Sequence, residues 1–82
     1  MSSHIKLLQK ILQGNADANI PFDGLCQLLF YLGFDMRTRG SHHLFRKEGI
    51  EEKINLQREG VQAKTYQVRQ IRAIILRHGL MR

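Results

Sequence analysis

The sequence has a single cysteine, few acidic residues and no long hydrophobic run. With Cys26 alone, neither a disulfide within the chain nor a cysteine-based zinc site can form. The neighbours of Cys26 in residues 25–30 are largely apolar, which predicts a buried, unreactive thiol. The N-terminus lacks the apolar stretch of a signal peptide, and no segment has the length of a membrane span. We therefore expect a cytoplasmic protein.

Basic residues outnumber acidic ones, with 13 Lys and Arg against 7 Asp and Glu, which gives a formal charge of +6 and a pI of about 10.1. In a small domain this excess favours a polyanion as partner, such as RNA, DNA or an anionic membrane surface; a merely solvated basic surface is the alternative. The 82 residues fit a single domain with a thin core. We therefore expect an open site on a sheet or groove rather than a deep pocket.

Hydrophobic spacing predicts a first helix at residues 3–12, a second that begins near Pro21 and stops at Gly33, and a last one at about 65–78. For the last helix, Thr65 is the predicted N-cap and Gly79 the predicted C-cap. Between the second and last helices, three strands are predicted at residues 34–39, 41–47 and 52–57. Short links make these strands an antiparallel meander. The predicted fold is α+β, in the order α-α-β-β-β-α, with helices on one face of the sheet and the other face open.

Two adjacent histidines, His42 and His43, stand at the start of the second predicted strand. Neighbouring residues of a strand point to opposite faces, so only one of these histidines can meet a ligand on the open face. If Phe45 belongs to the core, His42 lies on the open face; if Leu44 does, His43 lies there. Two ordinary surface histidines are the alternative to an active site.

A histidine beside a phosphodiester suits RNA cleavage, because imidazole exchanges a proton near neutral pH. It can accept the proton of the 2′-hydroxyl or supply one to the leaving oxygen. Gly40 and Ser41 could bring the RNA backbone close and add hydrogen bonds. The phosphate could be held by basic residues in or beside the same hairpin, namely Arg37, Arg39, Arg46 and Lys47.

A second basic group lies in the stretch 61–82, which has no acidic residue and includes Lys64, Arg69 and Arg72. Arg69 and Arg72 share one helix face, which could follow a sugar–phosphate backbone; a solvated face is the alternative. The four histidines form no helical i, i+4 pair and have no carboxylate cluster beside them. We therefore expect no metal and no other cofactor.

Three motifs follow one another within residues 22–80. A helix ends in Leu32-Gly33-Phe34, the string Arg39-Gly40-Ser41-His42-His43-Leu44-Phe45 comes next, and the last helix ends in His78-Gly79-Leu80. This arrangement resembles the HicA toxin family. On the resemblance, residues 1–82 form a single toxin domain in which 1–14 add an N-terminal helix to the family core at 22–80.

The resemblance implies a compact fold similar to a double-stranded-RNA-binding domain, and ribosome-independent, metal-independent cleavage of mRNA. It also implies a HicB-like antitoxin as inhibitory partner, no membrane association, and a monomer when free. The family histidine after Gly-Ser corresponds to His42, which takes the catalytic role. Gly40, Ser41 and His43 complete the motif, with Gly40 and Ser41 setting the strand geometry and a secondary catalytic role left open for His43. Gln57 stands near the position of a second family histidine. The chain therefore has one imidazole for the reaction, helped by Arg or Lys.

Three functions are compatible with these features. The first is an endoribonuclease toxin that uses His42. The second is a non-catalytic RNA-binding module that uses the same sheet and the basic helix. The third is a protein-interaction domain that docks an acidic partner. Strand scission separates the first from the second, and RNA binding separates both from the third.

Overall fold

The structure, a computed structural model, describes residues 3–58 and 60–80. The helices are α1 (Ser3–Gln13), α2 (Phe22–Tyr31) and α3 (Thr65–His78). The strands are β1 (Asp35–Arg39), β2 (His42–Arg46) and β3 (Ile54–Gln57). A short 3-10 turn at Asp17–Asn19 lies in the loop between α1 and α2. The predicted class and element order are confirmed.

The last helix has the predicted bounds, and only its predicted N-cap differs. Gly79 follows α3 in the left-handed conformation, with a φ of 60°, which a glycine adopts without steric cost. The predicted N-cap at Thr65 is wrong, because Thr65 is already the first residue of the helix and Lys64 occupies the cap position. The side chain of Gln67 helps here, since its Oε1 accepts a hydrogen bond from the backbone N–H of Lys64 at 3.3 Å.

The sheet has the order β1-β2-β3, and both strand pairs are antiparallel. Its register aligns Met36, Phe45 and Ile54 across the three strands. Phe45 and Ile54 are completely buried, as is Leu56 on the same face. They join a core that includes buried residues of α2 and α3: Leu25, Leu28, Leu29, Val68, Ile71 and Ile75. The helices therefore cover this face and leave the other one open.

A long-range ion pair links α3 to the loop after α1. The guanidinium of Arg72 donates to both carboxylate oxygens of Asp17, at 2.8 and 3.2 Å, and to the carbonyl oxygen of Ile11 at 3.1 Å. The hydrogen bonds between the two side chains lower the pKa of Asp17 and raise that of Arg72. Arg72 therefore holds together parts of the chain that are distant in sequence.

The thiol of Cys26 is half-buried against the core rather than fully buried. Its loss of water, followed by the nearby charge of Asp23, raises the pKa of the thiol. A raised pKa keeps the thiol protonated and unreactive near neutral pH. None of the helices at residues 3–58 and 60–80 combines the length and apolar character needed to cross a membrane.

Candidate functional site

Only two residues, Gly40 and Ser41, connect β1 to β2 in the hairpin. Gly40 has a φ of 59°, and no residue other than glycine has a positive φ in the described chain. Gly40 followed by Ser41 therefore fits a type II′ turn, whose first central position requires glycine. The register pairs Arg39 with His42 directly across this turn. Arg39, the last residue of β1, and His42, the first residue of β2, thus face each other beside the turn.

The position of Phe45 decides which histidine lies on the open face. Phe45 is completely buried, and His43 is on the same side of β2. The imidazole of His43 packs edge-on against the ring of Phe22, with 5.3 Å between ring centroids. His42 therefore lies on the open face, together with Leu44 and Arg46. Of the two arrangements that the sequence allows, the first is the one observed.

The imidazole of His42 is held by a side chain of the next strand. Its Nδ1 lies 3.1 Å from Oδ1 of Asn55, within hydrogen-bond distance. An amide oxygen only accepts hydrogen bonds, so this contact is a hydrogen bond when Nδ1 carries the proton. In the neutral ring, Nε2 then has a free lone pair. This is the form of histidine that can accept a proton from a substrate.

Gln57 is the direct cross-strand neighbour of His42. Its side-chain amide nevertheless points to the turn, where Nε2 donates to Oγ of Ser41 at 3.3 Å. Ser41 and Gln57 thereby close the end of the sheet nearest to the histidine. Gln57 thus contacts the Gly40-Ser41-His42-His43 string through an amide.

A shallow depression of about 690 Å³ lies on the open face. Four basic side chains and one acidic side chain line it, together with Thr38 and Leu44: Arg37, Arg39, Arg46, Lys53 and Asp35. All three arginines are exposed. The excess of positive charge on a flat, open surface is suited to a phosphate chain. Arg37, Arg39 and Arg46 are thus brought together on the face that carries His42.

The other predicted RNA contacts do not lie on this face. Lys47 follows β2 and lines a second depression together with residues at the ends of α2 and α3. Lys64 precedes α3, and its ammonium lies 5.8 Å from the centre of the Tyr66 ring. Arg72 is occupied by Asp17, and Arg69 approaches the same carboxylate at 3.9 Å. These four cations therefore lie away from the open face, where Arg39 is directly across from His42 and Arg37 and Arg46 lie further along the strands.

The other two histidines, His4 and His78, each contact a side chain from another part of the chain. His4 stacks on the ring of Tyr31, with centroids 5.2 Å apart. His78 hydrogen-bonds through Nε2 to Glu52 at 2.8 Å. In the described part of the chain, no group of three or more His, Cys, Asp or Glu side chains could hold a metal ion. The candidate site is therefore His42 with its amide partner Asn55, Arg39 directly across the hairpin, and the other cations of the same face.

Sequence reasoning did not select two residues of this site, Lys53 and Asn55. The alternation in β3 places both on the polar side, opposite Ile54 and Leu56. That signal assigns them to the open face but does not show that Asn55 meets His42, because the contact depends on the register between β2 and β3.

A scan against protein-family models, a search of curated protein sequences and a search of solved structures each find no match to this chain.

Proposed function

We propose that this protein is an endoribonuclease toxin of the HicA type that cleaves mRNA with His42. The observation that carries the proposal is the hydrogen bond between Nδ1 of His42 and Asn55, which leaves Nε2 of an open-face imidazole ready to accept a proton. The arginines of the same face and the likeness of the Gly40-Ser41-His42-His43 string to the family motif support it further. The proposal includes a HicB-like antitoxin as inhibitory partner and a cytoplasmic location.

The proposed reaction is an internal transfer at phosphorus. Nε2 of His42 takes the proton of a 2′-hydroxyl, and the 2′-oxygen forms a bond to the adjacent phosphorus. The bond from phosphorus to the 5′-oxygen breaks, leaving a cyclic phosphate and a 5′-hydroxyl that takes its proton from solvent. Arg39, directly across from His42, is positioned to offset the charge on the phosphate oxygens. No metal is required in this scheme.

The open face favours a flexible single strand bound through its phosphates. Side chains that follow each other on one face of a strand are about 7 Å apart, so Arg39, Arg37 and Lys53 are distributed along the sheet rather than gathered at one point. Apart from His42, the described residues of this face present no aromatic ring for base stacking. We therefore expect strong salt dependence and weak base preference.

The test is cleavage of single-stranded RNA by the purified protein in the presence of EDTA. We expect cleavage by the wild type and a rate about 10²- to 10⁴-fold lower for His42→Ala, the range that a general acid or base contributes. His4→Ala is the matched control, because it removes an imidazole from α1 and should keep the wild-type rate. Equal rates for wild type and His42→Ala, or intact RNA with both, would refute the proposal.

A non-catalytic RNA-binding module is the second candidate, since the exposed cations of the open face do not need His42 to bind RNA. It predicts salt-sensitive binding in the same tubes with every RNA strand intact. A third outcome, no binding to RNA at all, would favour a domain that docks an acidic protein.

A further inference from the structure

We infer that Asn55 is a positioning residue for His42, which fixes the imidazole tautomer and makes Nε2 the nitrogen that meets the RNA. The inference deepens the proposed function and rests on it for its catalytic meaning. The tautomer itself is a property of the free protein. It can therefore be measured whether or not the protein cleaves RNA.

The contact follows from the sheet geometry. Asn55 is paired with Leu44, one step along the open face from His42. Such diagonal neighbours on adjacent strands are within reach of polar side chains with two or more rotatable bonds. The direct neighbour, Gln57, is drawn away to Ser41, so the amide of Asn55 is the one that meets the imidazole. On the opposite face of the sheet, β2 and β3 each pack on the core through a completely buried residue, Phe45 and Ile54 respectively.

A purely structural role explains Asn55 poorly. Asparagine is depleted in strands, and a β-branched residue at this exposed position would favour the sheet more. An exposed hydrogen bond also adds little to the free energy of unfolding, because water competes for both partners. A hydrogen bond that selects the tautomer has a different effect, since the partner of one ring nitrogen decides which nitrogen holds the proton. An amide serves this purpose without adding a charge to the basic face.

The direct test is ¹⁵N NMR of the His42 ring in the free protein at a pH where the ring is neutral. We expect the wild type to carry its proton on Nδ1. Asn55→Ala should release this preference and shift the population towards the form protonated at Nε2. Asn15→Ala is the matched control, because it removes an exposed asparagine from the loop after α1 and should leave the His42 signals unchanged. A wild-type ring protonated at Nε2, or an unchanged tautomer in Asn55→Ala, would overturn the inference.

Activity gives the second readout. Asn55→Ala should lower the rate of RNA cleavage about 10-fold, a part of what the whole imidazole contributes. Asn55→Asp keeps the acceptor and adds a negative charge that stabilises the imidazolium, so the acidic limb of its pH–rate profile should move to higher pH. An acidic limb that stays in place would count against the contact. A wild type that leaves RNA intact would refute the proposed function, while the NMR result would still decide the tautomer.

Discussion

The two imidazoles of β2 have the same chemistry and different surroundings. His42 lies on the open face, with its Nδ1 3.1 Å from Oδ1 of Asn55 and with Arg39 directly across the hairpin. His43 lies on the helix side against the ring of Phe22. Within the described residues, Nδ1 of His43 is buried and has no hydrogen-bond partner. A buried nitrogen without a partner costs free energy, so His43 contributes to packing at some expense in hydrogen bonding.

This difference predicts opposite outcomes for replacement of the two residues. His43→Phe keeps an aromatic ring against Phe22 and removes the unpartnered nitrogen. We expect the free energy of unfolding to stay the same or rise by up to about 1 kcal/mol, and RNA cleavage to persist. Urea unfolding and the cleavage assay measure the two effects. A loss of cleavage in a folded His43→Phe protein would assign a catalytic part to the second histidine.

The sequence does not decide which of Leu44 and Phe45 faces the core. Leu44 and Phe45 are both apolar, so the alternation of β2 is compatible with either residue in the core. The choice depends on how well each side chain fills the space between the helices and the neighbouring strands, which is a tertiary property. Phe45 fills that space completely and thereby fixes the direction of His42.

The strands together form the basic open face, and α3 forms a separate basic surface. On the sheet, Arg37, Arg39, Arg46 and Lys53 line one depression. On the helix side, Arg72 is part of an ion pair that stabilises the fold. The arginines of the sheet are exposed and available to a ligand, whereas Arg72 of α3 stabilises the fold. The sequence alone presents both groups as candidates for RNA contact.

We predict that a cation of the open face contributes to RNA affinity and that a cation of α1 does not. Arg46→Ala should weaken the binding of single-stranded RNA and reduce the slope of log K against log salt by about 0.7, the value for one phosphate contact on a single strand. Lys6→Ala, which removes the same charge from an exposed helix position, should keep the wild-type slope. The two slopes come from titrations over a range of salt concentrations. Equal slopes for both variants would mean that net charge, and not this face, binds RNA.

The elements themselves are largely predictable from the sequence, because apolar periodicity and turn residues are local signals. The alternation of β3 even separates Ile54 and Leu56 from Asn55. The partner of Asn55 is not a local property. It depends on the register of β3 against β2, which is set across the connection at residues 47–53 by the packing of both strands on the helices.

In the molecule as a whole, carboxylates join segments that are far apart in sequence. Asp17 binds Arg72 of α3, and Glu52, which precedes β3, binds Arg77 and His78 at the end of the same helix. The hydrogen bond from His78 is the largest influence on Glu52, and it lowers the pKa of that carboxylate. The pKa of Asp17 is lowered by Arg72. No local pattern predicts these contacts, because their partners are 25 or more residues apart.

Both lowered pKa values predict that acid weakens the fold. Below the ordinary values of 3.8 for Asp17 and 4.5 for Glu52, the unfolded chain takes up protons before the folded one does. The stabilisation is therefore complete above these values and declines as the pH falls towards the folded-state pKa. Asp17→Asn with Glu52→Gln should flatten this decline, whereas Glu51→Gln, at an exposed neighbour, should keep it. Urea midpoints measured on both sides of pH 4.5 test this, and parallel curves for all three proteins would contradict it.

Which imidazole of β2 faces the solvent depends on which alternate residues of the strand face the core. A strand displaced by one residue exchanges its faces, and the run His42-His43-Leu44-Phe45 offers an imidazole and an apolar side chain to each face. After such a displacement His43 would meet the solvent, and Leu44 would enter the core in place of the larger Phe45. His43 is thus a second imidazole that such a displacement would expose. One residue added to the turn would move His43 to the position that Leu44 now holds, directly across from Asn55, and would turn Phe45 towards the solvent.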